Sequence, residues 1–482
     1  MIRHVLLAAV AVLVAAAALV ADDDLEVIKL TVTPAGAPQP HLRYRFAPTA
    51  RQLAEGNAAA LYCRALVVLE QHDRDHTARR QISDWLETPV GELPREEVRR
   101  TLGQLRAVLA EARIGTRRKQ AVWDLPLREQ GISTLLPEIQ EMREVARLWK
   151  LQARLAILDG DYAAASRDLE DLYTMGRHLG ESGTLVSMLV GLAAHRSASD
   201  ALQTWIAQPG SPNAYWALTS IPSSTRNLTT SIESEDMWIY GTIPHAELLE
   251  VAILSPTQLE EITREIGALF DPSWYGVTMK LELNSGEQRD VQLPPSVAAM
   301  PVVLRAYPVC KRQILESGMA PDLVGAMQPL QVVMLRWVQV YRELLDEMVV
   351  WSRRPYRESR PAMEALDDRF DRLANRPEAI LANIMLPAIN AASIAVYRGE
   401  QRIAMLRVVE ALRLYAAAHN GRLPETLEAI TEVPIPVDPL MGAAFDYRLE
   451  GETAHLKSLA PRLNPDTRFE ITISKPQIQQ RY

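Results

Sequence analysis

The first chemistry legible in this chain is the run Glu233-Ser-Glu-Asp236, which sets three carboxylates just ahead of Met237-Trp238. Two carboxyl groups held about 5–10 Å apart can share glycosidic hydrolysis, one protonating the leaving oxygen while the other attacks or activates water. An aromatic platform beside them would carry the sugar ring. On a capped, exposed helix the same carboxylates would splay into solvent and do no chemistry, since neighbours along a helix face different ways. A second candidate is His72-Asp-Arg-Asp-His76. Histidines at i and i+4 of one helix share a face and could bind a transition metal with one further ligand. Gln71–Arg80 is uniformly polar, which reads as a solvated helix end with no apolar shell to fix the rings. His195 lies among Ala193, Ala194 and Ser197, the surroundings of a satisfied core histidine rather than of a catalytic base. Cys63 and Cys310 are the only cysteines, and neither has a second thiol at Cys-x-x-Cys spacing. Two separate buried thiols are expected, because a bridge needs Cα atoms within about 7 Å.

The sequence contains no Gly-x-Ser-x-Gly, His-Glu-x-x-His, Ser-x-x-Lys, phosphate-cradling loop or dinucleotide fingerprint. The leading expectation is therefore a non-enzymatic exported envelope protein with a protein-interaction or scaffold role, with no catalytic residue, no cofactor and no metal. Its alternative is a hydrolase of envelope polymer with Glu233, Glu235 and Asp236 as the acids. A metal-binding protein using His72 and His76 ranks third.

Composition narrows the partners. The chain has 482 residues, 48% hydrophobic and 23% charged, enough for two or three domains with cores of their own. Its net charge is −8, and only seven of its 52 basic residues are Lys. Nucleic acid requires a concentrated cationic field. The richest basic cluster, Thr116-Arg-Arg-Lys119, is small and reads as a solvated helix end, so no nucleic-acid partner is expected. At the N-terminus Arg3 and His4 precede the uncharged apolar run Val5–Ala21, which ends abruptly at Asp22-Asp-Asp24. That order is an export signal with small residues placed for cleavage. An uncleaved anchor is the alternative, and would be the only membrane contact. The expected location is periplasmic, or the outer face of the inner membrane, with protein partners in the envelope.

The elements that must position these residues are mostly helices. Leu25–Thr33 alternates as a strand, and Pro34, Pro38, Pro40 and Pro48 extend it into an arm. From about Gln52 helical spacing runs past Trp205: Val98, Leu102, Leu105, Val108, Leu109 and Ala112 mark one amphipathic helix, and Met142, Val145, Trp149, Ala153 and Ala156 another. Asp159-Gly-Asp-Tyr162 turns the chain into the next helix. Val277–Leu283 and Arg289–Leu293 alternate as a hairpin, and Leu330–Trp351 is apolar around most of its circumference, as a central core helix is. Arg353-Arg-Pro355 and Arg360-Pro361 mark a linker. The expected fold is mainly α, an irregular stack of αα-hairpins with a small C-terminal α+β module. Its divisions are a signal peptide or anchor (1–21), an extended arm with a short strand (22–50), a helical domain (51–355) and the α+β module (376–482).

Two resemblances bear on this layout. The helix–Gly-Asp-Tyr–helix unit resembles one tetratricopeptide-type hairpin, although no second copy follows at a 34-residue period. From Ile380 to Pro461, a long apolar helix ends at Asn420-Gly421 and is followed by Arg422-Leu-Pro-Glu-Thr-Leu427, Val437-Asp-Pro439, Gly442, Phe445-Asp-Tyr447 and a hairpin turned at Glu450-Gly-Glu452. This stretch resembles the globular part of a type IV pilin or type II secretion pseudopilin. The resemblance implies an extracytoplasmic assembly module and carries no chemistry. The spine is internal, and Asn375-Arg-Pro-Glu378 stands where a pilin signal would lie. The loop Ser458–Asp466 has one carboxylate, too few for the calcium that some pseudopilins hold. The whole chain resembles a group of uncharacterised exported bacterial proteins. In the C-terminal helix the stripe Met405, Val408, Val409, Leu412, Tyr415 and Ala416 should cover the sheet, leaving Arg407, Glu410 and Arg413 to solvent.

Overall fold

The computed structural model describes residues 27–125, 136–223, 228–243, 245–270, 278–282, 288–292, 300–459 and 467–474. The apolar run at 5–21 and the export reading that rests on it lie outside these residues, as does most of the loop Ser458–Asp466. The protein is mainly α-helical with a small mixed sheet. The first strand is β1 (Val27–Val32), and a short β2 (Ala54–Asn57) leads into α1 (Ala58–His72), where the Asn57 side chain accepts from the Ala59 N–H. Next come α2 (Thr77–Glu87), α3 (Arg95–Gln104), α4 (Arg106–Thr116) and β3 (Arg118–Gln120), which pairs in parallel with β2. The apolar spacing over 97–112 predicts one helix. The structure breaks it at Leu105, yet Val98, Leu102, Leu105, Val108, Leu109 and Ala112 are all buried.

The centre of the body is α5 (Pro137–Leu158), α6 (Tyr162–Gly180) and α7 (Leu185–Ala207). Between α5 and α6 Gly160 takes φ +74°, a conformation that favours glycine, and Asp161 caps α6 by accepting from the Ala164 N–H. Tyr162 packs on Trp205 of α7 with ring centroids 4.8 Å apart. The short α8 (Tyr215–Leu218) is followed by α9 (Leu228–Thr242) and α10 (Pro256–Phe270). The hairpin β4 (Thr278–Glu282) and β5 (Gln288–Gln292) forms as its alternation predicts. Then come α11 (Met300–Glu316), α12 (Pro321–Ala326) and the core helix α13 (Pro329–Ser352). The expected linker is instead helical: α14 (Tyr356–Leu373) starts just after Pro355 and tolerates Pro361, because Tyr356, Met363 and Leu366 give it a face to bury.

The last helix, α15, runs 39 residues from Ile380 to Ala418 and stops where Asn420 and Gly421 take positive φ. It is long and apolar enough to cross a membrane, and half of its most apolar window is buried inside the protein. After it come β6 (Asp446–Glu450), β7 (Thr453–Lys457) and β8 (Arg468–Ile473). The four-stranded sheet has the order β1-β8-β7-β6, with β1 parallel to β8 and the rest antiparallel. Its register aligns two apolar rows, Ile28–Phe469–Leu456–Tyr447 and Leu30–Ile471–Ala454–Leu449. The N-terminal arm therefore supplies an edge strand to the C-terminal sheet.

Buried apolar residues form two clusters that cut across the expected divisions. One joins the sheet, α1 to α8 and the C-terminal half of α15 (Ala404–Leu414). The other gathers α9 to α14, the first turn of α7 and the N-terminal half of α15 (Leu381–Tyr397). The single helix α15 thus belongs to both cores.

Candidate functional site

Glu233, Glu235 and Asp236 all lie on α9, and helix geometry sends them apart. Glu233 is exposed and pairs with Arg353 at 2.6 Å. Asp236 is partly exposed, 3.5 Å from Arg342. Glu235 turns inward with Ser231, Ile232 and Ser234, and its Oε1 accepts from the Leu185 N–H at the start of α7, 3.4 Å away. Burial pushes its carboxyl up to about 8, against which the Leu185 N–H pulls down. The expected exposed helix is thus corrected at one position: Glu235 is a buried, neutral acid at pH 7. Neutrality suits a general acid, but the neighbouring carboxyls face Arg353 and Arg342 rather than a shared reacting centre.

The histidine pair fails on backbone geometry. The helix α1 ends at His72, whose Nδ1–H donates to the Val68 carbonyl at 2.8 Å, and His76 sits beyond the break with φ +57°. The two rings therefore do not share one helix face. Among the described residues no group of three or more His, Cys, Asp or Glu side chains could hold a metal ion. The segment is also not simply solvated. Asp73 and Arg79 are buried and bonded at 3.0 Å, with Glu70 and Glu141 on the same guanidinium. His195 donates Nε2–H to the Tyr173 carbonyl at 2.9 Å, and burial lowers its pKa, as a satisfied core histidine requires. Cys63 and Cys310 are free thiols, the first half-buried and the second buried.

A polar cluster that no motif announces joins α4 to α6. Asp168, Glu170 and Asp171 are buried on α6. Arg113 reaches Asp168 at 2.6 Å and Asp171 at 2.5 Å, while Arg117 lies 2.8 Å from Glu170 and 3.2 Å from Asp171. Thr116 Oγ1 donates to Asp171 at 2.6 Å, and Gln152 Nε2 donates to Asp168 at 2.7 Å. Three carboxyls face two guanidiniums, and burial pushes Asp168 up to about 7 against the pull of Arg113. Alongside, Tyr62 Oη and His178 Nδ1 lie 2.7 Å apart, and burial followed by Arg177 holds His178 down at about 3, so it is neutral. Thr116-Arg-Arg-Lys119 is therefore no solvated helix end at its first two positions. The signal was the pair of spacings: Arg113 and Arg117 are i,i+4 across the last turn and C-cap of α4, and Asp168 and Asp171 are i,i+3 on α6.

A second buried network corrects the reading of α15. Arg413 and Glu410 are fully buried and paired at 3.0 Å. The Arg413 guanidinium also donates to the Ser211 carbonyl (2.7 Å), Ser211 Oγ (2.9 Å) and the Thr33 carbonyl (2.9 Å). The face of α15 expected to meet solvent meets the arm and the α7–α8 loop instead. Asp438 is also buried. Its Oδ1 accepts from the Leu440 N–H at 2.9 Å, and its Oδ2 accepts from the Ser458 hydroxyl, tying the Asp-Pro turn to the end of β7. These networks fasten helix to helix and arm to helix. No family model, curated protein or solved structure matches this chain.

Proposed function

We propose that this chain is a non-enzymatic exported envelope protein with a scaffold role, whose C-terminal part is a pilin-like assembly module. The observation that carries the reading is a 39-residue helix whose C-terminal half shares a buried cluster with an antiparallel β6–β7–β8 sheet, joined through an Asp438-Pro-x-x-Gly442 turn. In that turn the N–H groups of Met441 and Gly442 donate to the Asp438 carbonyl at 3.2 and 2.8 Å. The order of helix, loop, turn and hairpin is the one that supports a pseudopilin-like module, and such modules work by contact rather than by chemistry. The buried charge networks support a frame that holds its surfaces in place. The charge-flanked run Val5–Ala21 supports export.

The experiment is protease accessibility in spheroplasts combined with fractionation of a bacterial host. The expected outcome is that the full chain is digested from outside the inner membrane, and that deleting residues 1–21 leaves it protected in the cytosol. A full-length chain that stays protected and unprocessed in the cytosol overturns the reading.

A further inference from the structure

We propose that β1 is an exchangeable strand: the edge of β8 accepts the β1 of a second copy of this chain as it accepts its own, so that two copies pair by reciprocal strand exchange. The pairing joins positions about as far apart as the chain allows, with Val27 opposite Arg468 and Val32 opposite Ile473. On the core face Leu30 and Val32 are buried and Ile28 packs against the same cluster. On the outer face Thr31 Oγ1 lies 3.2 Å from Thr472 Oγ1, and Lys29 reaches Glu470 at 3.7 Å. The acceptor therefore selects a strand with apolar residues at alternate positions and Lys and Thr between them, which β1 of any copy supplies.

The arm that follows β1 is built to let it leave. Gln39, Pro40, His41, Leu42 and Arg43 are all exposed, and Pro34, Pro38 and Pro40 favour extended backbone. Between β1 and Tyr44 the arm touches the body at Ala37, which packs on the core, and at His41, whose ring stands edge-on 5.9 Å from Trp216. It is anchored at Tyr44 and Phe46, both buried, with the Phe46 N–H donating to Ser220 Oγ at 2.9 Å. Residues 36–43, if extended, span roughly 26–29 Å, the reach available to carry β1 off its own sheet while the body stays intact. Two contacts that receive the arm, Arg413 Nε to the Thr33 carbonyl and the Ala35 N–H to the Arg413 carbonyl, belong to the acceptor and re-form with either donor. Self-pairing and exchange then share the same strand contacts, and the effective concentration of a second copy decides between them. The inference rests on the sheet and the arm, not on the compartment in which the protein works.

Thr31 and Thr472 are direct partners, so cysteines there are within disulfide reach. Two differently tagged full-length copies are co-expressed, one carrying Thr31→Cys and the other Thr472→Cys, both in a Cys63→Ser, Cys310→Ala background, and then oxidised. The expected product is a covalent dimer carrying both tags, lost on reduction. The Thr31→Cys, Thr472→Cys double variant reports the pairing itself as a cross-linked monomer. A cross-linked monomer without any mixed dimer overturns exchange, and failure of both cross-links overturns the strand pairing on which it depends.

Discussion

Removing the Arg413 side chain would strand the wholly buried Glu410 carboxylate without its cation and leave the Ser211 and Thr33 carbonyls without a donor. Breaking one half of a buried pair costs about 3–5 kcal/mol. Arg413→Ala should therefore lower unfolding stability in urea by about that amount, while Arg448→Ala, at an exposed position of β6, should cost under about 0.5 kcal/mol. Equal effects of the two would remove Arg413 from the frame. Glu235 supplies a pH test with a definite sign. Its folded pKa of about 8 exceeds the ordinary 4.5, so below pH 4.5 both states are protonated and the group contributes no pH dependence. Between about 4.5 and 8 the unfolded chain loses the proton that the folded chain keeps, and stability falls by about 1.4 kcal/mol per pH unit. A glutamine side chain at this position could still accept from the Leu185 N–H and does not titrate. Glu235→Gln should therefore be increasingly more stable than the parent from pH 5 to pH 8. A melting-temperature difference that stays flat with pH would refute this. Residue type alone could not place either arginine. Arg413 and Arg448 look alike in the sequence, and what separates them is the arm and the α7–α8 loop that cover one and not the other.

Elements were legible where apolar spacing and a stop signal agreed. The helix α15 ends at Asn420-Gly421, α6 begins at a capping Asp161, and both hairpins follow their period-two alternation. Illegible were the break at Leu105, which preserves the apolar face on either side, and α14, whose Pro361 imitates a linker. The partner of β1 was also out of reach, because strand alternation fixes which face is buried but not which strand lies alongside. Packing between elements gives a further test in α4. A Cβ on Gly115 would stand 2.7 Å from Tyr62 Cε1, so α1 and α4 touch where only glycine fits. Gly115→Ala should cost about 1–3 kcal/mol through overpacking. Gly103→Ala, in open space on α3, should be neutral or slightly stabilising, since Ala favours helix. Thermal unfolding of the two variants separates close packing from mere helix propensity. If Gly115→Ala melts with Gly103→Ala, the helices do not pack as closely as described.

At the scale of the molecule, the strand β1, the C-terminal sheet and both cores meet on one helix. The C-terminal half of α15 packs in the cluster that contains the sheet, and its N-terminal half packs with α13 and α14. Sequence spacing favours 376–482 as a self-sufficient helix–sheet unit, because the stripe Met405, Val409 and Leu412 matches the alternation of the hairpin. The same stripe is buried, and Leu412→Ala in the full chain should cost about 2–5 kcal/mol. Self-sufficiency is a different matter. A fragment of residues 376–482 lacks β1, so the β8 edge with Ile471 beside it loses its neighbour Leu30. It also lacks Ser211 and Thr33 for Arg413, and it exposes Leu381, Leu386, Ile389 and Val396, each buried in the second core. Burying each large apolar side chain contributes roughly 1.5–3 kcal/mol, so these losses together approach the 5–15 kcal/mol that stabilises a whole domain. The fragment should therefore unfold without a sharp urea transition and show weak near-ultraviolet dichroism, whereas the full chain gives a cooperative one. A fragment that unfolds as sharply as the full chain would mean that its helix and sheet are sufficient, and that β1 and the second core only decorate it.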